Sequence, residues 1–167
     1  MTPRAVVRPE TQSTRAWAEG AAGERLGAVL DGCDGVVSLH DRRIPRSKAN
    51  IDHLVIGPSG IFVVDAKNYD GLVEKRQAGG WLRPDERLVV AGRDRTKLIE
   101  GVVWQINEVR TALGPTAEPI RPILCFVGPN WPRFLRRALV VRGVSVVWAA
   151  RAAEIVSEPG PIGEERV

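Results

Sequence analysis

Residues 50–71 read NIDHLVIGPSGIFVVDAKNYDG, and the folding of this stretch decides how the rest of the chain is read. Two runs rich in Ile and Val, Ile51 to Ile56 and Ile61 to Ala66, bracket Gly57-Pro58-Ser59-Gly60, the pattern of a β-hairpin. Each run also carries an aspartate where a core strand would want none. If the runs pair about the middle of the turn, with a two- or four-residue loop, Ile56 faces Ile61, Leu54 faces Val63 and Asp52 comes opposite Asp65. Side chains alternate along a strand, so Lys67 shares the face of Asp65, and three charged groups converge on one end of the hairpin. A three-residue loop at Pro58-Ser59-Gly60 with a following bulge sets His53 opposite Asp65 instead. Both registers are compatible with the sequence.

Carboxylates opposed across a strand pair repel, and partial burial sharpens the conflict, so one must take a proton or a cation must stand nearby. Lys67 neutralises only part of the charge. A divalent metal bound by hard oxygen ligands resolves it, and Mg²⁺ characteristically uses one or two carboxylates together with water and substrate phosphates. The plainer reading puts Asp52 and Asp65 at a sheet edge, paired with Lys67 and nearby arginines.

Outward from the hairpin, the Ala-rich stretch from about Arg15 to Leu30 is free of Pro and predicts a first helix, closed by the turn cluster DGCDG. VVSLHD at 36–41 predicts a short strand. LVEKR, a Gly79-Gly80 turn, WLR and RLVVAG predict a smaller meander, and Thr96 is placed to cap a second helix that ends at Leu113 before Gly-Pro. PILCFVG and VSVVWA read as buried strands and ARAAEIV as a last short helix. The expected fold is α/β or α+β, with helices packed on one central sheet. Residues 1–14 and 157–167 read as loose ends of a single domain spanning 15–156.

The whole sequence has 167 residues, 44% apolar and 26% charged, with a net charge of +4, so neither an enzyme nor a binding module is excluded. Cys33 and Cys125 form no metal-like cluster, and both are expected to be reduced. No sustained apolar segment is present, since ALVVRGVSVVWAARAA is interrupted by Arg142 and Arg151. A soluble, cytoplasmic protein is the expectation.

GAAGERLG, IPRSKANIDHLVIGPSGIFVVDAKNYDG and WQINEV together resemble the nuclease-related domain (NERD), a branch of the PD-(D/E)XK nuclease superfamily, over roughly residues 18 to 130. The resemblance implies a restriction-endonuclease-like core, a central mixed sheet with an antiparallel hairpin flanked by helices. Asp52 then corresponds to the motif aspartate, Asp65 to its second acidic position and Lys67 to its lysine. Glu24 resembles the glutamate of the upstream helix and Gln105 the glutamine of the later one. Ile51 stands where Pro is usual, and Asp65 where Glu is the alternative. The implied activity is hydrolysis of phosphodiester bonds in DNA with Mg²⁺ or Mn²⁺, held by Asp52, Asp65, the backbone carbonyl of Ala66 and Glu24. No helicase, kinase or zinc-ribbon pattern accompanies the motif within these residues, so a protein partner is the expected source of targeting.

From the residues alone, Glu24 fits either a site or an exposed helix face, lying beside Trp17, Ala21 and Ala28 and across from Ala22, Leu26 and Val29. Gln105 falls in the apolar stripe of Leu98, Val102, Ile106, Val109 and Leu113, where a buried amide needs partners of some kind. His53 points away from Asp52 in the symmetric register and reads as structural. Arg42, Arg43, Arg46 and Lys48 can receive phosphates or simply face solvent. Arg133, Arg136 and Arg137 with Trp131 form a second basic patch with an aromatic for stacking. The turn lacks the Gly-Lys-Ser/Thr ending of a phosphate loop, and no Gly-rich loop fits NAD or ATP. A nucleic-acid-binding or protein-interaction module on the same scaffold is the alternative to an enzyme.

Overall fold

The computed structural model describes residues 12–80, 85–115, 118–128, 138–163 and 167, with side chains from residue 19 onward. The chain order is α1 (Gln12–Asp31), β1 (Val37–Arg43), β2 (Asn50–Gly57), β3 (Gly60–Lys67), β4 (Val73–Ala78), β5 (Asp85–Val90), β6 (Arg93–Asp94), α2 (Thr96–Leu113), β7 (Ile120–Phe126), β8 (Leu139–Val141), β9 (Val144–Trp148) and α3 (Ala149–Val156). The Trp131 and Arg133–Arg137 patch, the WLR segment at 81–83 and residues 1–11 lie outside the described residues, as does the Trp17 side chain.

Six strands form the central sheet in the order β1-β2-β3-β7-β9-β8. The β1-β2, β2-β3 and β8-β9 pairs are antiparallel, whereas β3-β7 and β7-β9 are parallel. Parallel pairing needs a crossover, which α2 supplies between β3 and β7. This is the mixed α/β class expected, consistent with a restriction-endonuclease-like core. The smaller meander forms a separate three-stranded sheet of β4, β5 and β6. Arg142 ties it to the β8-β9 hairpin, its guanidinium 2.6 Å from Asp85 and its backbone N–H donating to Glu86 at 2.7 Å. The short strand β8 has no counterpart in the sequence reading.

Alternation along β3 sorts the two faces. Phe62, Val64 and Ala66 join Val55, Ile123, Cys125 and Val147 under Leu26 and Leu30 of α1 and Ala152 and Val156 of α3. Val63 points the other way, into a cluster with Ile44, Ile51, Ile120 and with Ile106 and Val109 of α2. On α1 the packed stripe is Ala22, Leu26 and Leu30, and Val29, expected in it, is 39% exposed. On α2 Leu113, the last residue of the helix, is likewise exposed. Thr96 does not cap α2. Its backbone N–H donates to Asp94 Oδ1 at 2.9 Å, while its hydroxyl accepts the N–H of Leu88 at 3.2 Å, so the threonine joins the helix to β5 instead.

The β2-β3 turn is also held from outside. The backbone N–H groups of Ile162 and Gly163 donate to the Pro58 carbonyl at 2.9 and 3.2 Å, and Ile162 is buried. Residues 157–163, which composition marks as a loose end, thus lie on the turn. Gly57 is packed so closely beneath α3 that a Cβ there would collide with the carbonyl oxygen of Val156. Gly57→Ala is expected to cost about 1–3 kcal/mol of overpacking. A thermal melt should fall by several degrees relative to the same substitution at Gly101, where a Cβ meets no atom within 4 Å.

Candidate functional site

The hairpin register is the symmetric one, pairing Ile56 with Ile61, Leu54 with Val63 and His53 with Val64 around a two-residue loop. The ladder stops there. Carried one residue further, the register sets Asp52 opposite Asp65, at the end of the hairpin away from the turn. The Asp52 carboxylate accepts the backbone N–H of Ala66 at 2.9 Å, which bridges the two strands where their ladder ends.

Asp65 is 6% exposed on the face of β3 turned to α2. Two partners satisfy it. Lys67 Nζ lies 2.8 Å from its Oδ2, and Gln105 Nε2 donates to its Oδ1 at 3.3 Å. Lys67 Nζ also donates to the Ala66 carbonyl at 3.2 Å. Gln105 is buried on α2 between Val102 and Ile106, as the stripe predicted, and its Nε2 is used in this contact while its buried Oε1 has no partner among the described residues. Sequence separations of two and forty residues therefore converge on one carboxylate.

Burial and like charge together disfavour the ionised form of Asp52. Burial, then the Asp65 carboxylate, raise the Asp52 pKa from 3.8 to about 6, against the Ala66 N–H and Lys67, which lower it. Burial alone would lower the Lys67 pKa, but the charge and hydrogen bond of Asp65, with Asp52 beyond, outweigh it and raise it. Among the described residues no three His, Cys, Asp or Glu side chains cluster as a ready metal centre. The donors present are two carboxylates and a backbone carbonyl, of which Asp65 and the Ala66 carbonyl meet the Lys67 ammonium while Asp52 is held by the Ala66 N–H. Hard oxygens in that number suit Mg²⁺ or Mn²⁺ completed by water, so the residues fit such an ion.

Asp52, Ala66 and Lys67 line one side of a cleft of about 500 Å³, and Glu24 of α1 lines the other. Glu24 is exposed, on the rim with Ala28 and away from the buried stripe of its helix. Sequence reading missed Asp41, His40 and Asp31, which line the same cleft. Asp41 has a left-handed φ of 51° and stands, in the β1-β2 register, level with Asp52, whose pKa it helps to raise. Its signal was the register of β1, which the sequence does not declare. His53 is 3% exposed and turned toward α1, its Nδ1 2.7 Å from Nδ1 of His40, which in turn lies 2.9 Å from Asp31 through Nε2. Burial, then His40, lower the His53 pKa from 6.5 to about 4, so it stays neutral, in keeping with a structural role. Arg42, Arg43, Arg46 and Lys48 are exposed along the end of β1 and the loop after it. Cys33 and Cys125 are free thiols, and burial pushes the Cys125 thiol up. No helix among the described residues is long and apolar enough to cross a membrane.

The Asp52 carboxyl is harder to ionise in the folded chain than in the unfolded one. Its contribution to stability is complete below pH about 4 and is lost as pH rises through about 6. His53 runs the other way, stabilising above its unfolded value and losing that as pH falls through about 4. Asp52→Asn isolates the first effect. Without added metal, the variant should match the wild type near pH 4 and exceed its stability by on the order of 2–3 kcal/mol near pH 7. Denaturant melts across that range check it, and a difference independent of pH would assign the effect to another cause.

The profile of the nuclease-related domain matches residues 15–127. No curated protein and no solved structure gave a match.

Proposed function

Because the chain belongs to the nuclease-related domain family, we propose that it is a divalent-metal-dependent nuclease hydrolysing phosphodiester bonds in DNA. The observation that carries this reading is the convergence of Asp65, Lys67 and the Ala66 carbonyl beside a carboxyl, Asp52, whose ionisation the fold resists. A cation bound there would favour the ionised form of Asp52. Asp52, Asp65, the Ala66 carbonyl and Glu24 would hold Mg²⁺ or Mn²⁺. When bound there, the ion supplies an acidified water and positive charge for the phosphoryl oxygens.

The chain's own groups do the rest. Gln105 holds Asp65 by its Oδ1, which keeps the other oxygen turned to the reacting end of the strand. Lys67 donates to the attacking water or a non-bridging phosphate oxygen, and its ammonium offsets charge that grows in the transition state. Asp52 must release its proton before it can act as a ligand, so activity should rise through the pH range where that carboxyl ionises. In the reaction a water oxygen bonds to phosphorus and one ester P–O bond breaks. One water proton ends on the leaving hydroxyl and the other in solvent. Arg42, Arg43, Arg46 and Lys48 are suited to flanking phosphates, an interaction that should weaken with salt.

Lys67→Ala and Asp65→Asn separate chemistry from metal binding. Both are expected to reduce Mg²⁺- or Mn²⁺-dependent cleavage of labelled DNA by about 10²-fold or more. Lys67→Ala keeps the carboxylates and should still bind Mn²⁺ in calorimetry, whereas Asp65→Asn should bind it more weakly. A wild type that cuts no nucleic acid with either ion and binds neither would replace this reading with a binding module on the same scaffold.

A further inference from the structure

Three of the twenty residues of α1 are glycines, Gly20, Gly23 and Gly27, and all three line the cleft opposite Asp52 and Lys67. Their spacing of three and four puts them on one helix face. Glycine inside a helix costs about 1 kcal/mol relative to alanine. Packing does not require it at two of these positions, since a Cβ on Gly20 or Gly23 would meet no atom within 4 Å. At Gly27 a Cβ would only touch the His40 and His53 rings at 3.5 Å. The wall is bare without a structural reason.

Other observations point to what fills the space. His53, 3% exposed, lines the cleft from the sheet side, and its Nε2 finds no partner among the described residues. The remaining charged groups around the cleft are mostly carboxylates, namely Glu19, Glu24, Asp31 and Asp41, so its rim is hostile to phosphates except near Lys67. Carboxylates do accept hydrogen bonds from base amino groups, as Asp and Glu accept from cytosine. A volume of about 500 Å³ lies within the roughly 300–1,000 Å³ of pockets that hold small ligands. That volume is on the scale of a few nucleotide units rather than of a whole duplex.

We propose that the cleft takes one unpaired strand, with a phosphate at Lys67 and its sugars and bases passing along the Gly20, Gly23 and Gly27 stripe of α1, between the flanking carboxylates. Single-stranded segments or ends are therefore the substrate, and the interior of a duplex is not. This inference rests on the nuclease reading for its chemistry but not for its binding.

The test uses the full chain with a labelled single-stranded oligonucleotide, the same sequence as a blunt duplex, and a duplex with a single-stranded overhang. With Mn²⁺, the strand and the overhang should be cut at least tenfold faster than the blunt duplex. Gly23→Leu should melt no lower than wild type and keep its Mn²⁺ affinity, yet lose at least tenfold in single-strand cleavage. Gly20→Gln serves the same purpose should Gly23→Leu fail to fold. Internal cutting of the blunt duplex at the single-strand rate overturns the inference, as does a folded variant that cuts like the wild type. If wild type cuts nothing, the nuclease reading falls, and the cleft is judged by fluorescence anisotropy of the same strands with Ca²⁺. A tenfold loss of single-strand binding in the variant then supports it, and equal binding by variant and wild type overturns it.

Discussion

A buried carboxylate is stable only beside a positive charge, and the end of the β2-β3 hairpin is organised by that requirement. Lys67 sits on the same strand and the same face as Asp65, two residues away, so the pair forms without help from any distant segment. The ammonium then draws in the Ala66 carbonyl, while Ala66 N–H turns to Asp52. The two peptide groups that flank the Ala66 Cα thereby serve a carboxylate on one side and a cation on the other. Asp52 has no cation of its own, and burial, then the nearby Asp65, make it reluctant to ionise. The two strands end their ladder there, so that polar backbone groups are released for use by side chains and ligands rather than by one another.

The layers around the hairpin follow from keeping this end both dry and reachable. α2 closes one face, burying Ile106 and Val109 against Val63 and delivering Gln105 to Asp65. α1 covers the other face with Ala22, Leu26 and Leu30, but its exposed side stands back from Asp52 and Lys67 and leaves the cleft. One helix contributes a buried amide to the site, and the other contributes exposed carboxylates separated by glycines.

Local spacing made much of this legible in the sequence. A four-residue turn between two Ile- and Val-rich runs was enough to narrow the register to two choices, and the alternation of strand faces gave Asp65 and Lys67 a common side. The apolar stripe of α2 placed Gln105 inward. The resemblance to the nuclease-related domain singled out Glu24, which its exposure on the helix would not have done. Features that depend on distant pairing were not legible. Asp41 becomes relevant only because β1 pairs with β2 in one register, and Asp31 only because the C-terminal end of α1 meets His40. The choice of Leu30 over Val29 for the buried stripe depends on how α1 is rotated over the sheet, and Thr96 was drawn to β5 by an N–H that a helix-by-helix reading does not see.

The parallel pairing of β3 with β7 has a consequence in time. Asp65 lies beside Leu124, and the Val127 N–H clasps the Lys67 carbonyl at 2.9 Å, so the strand bearing the acid and the lysine is completed by residues nearly sixty positions later. Contacts of such long sequence separation form late, because loop closure must precede them. During synthesis the hairpin and α2 leave the ribosome before β7 exists to seat β3. An incomplete chain therefore carries the charged residues without the sheet that holds them in register, and assembly of the site coincides with the last steps of folding.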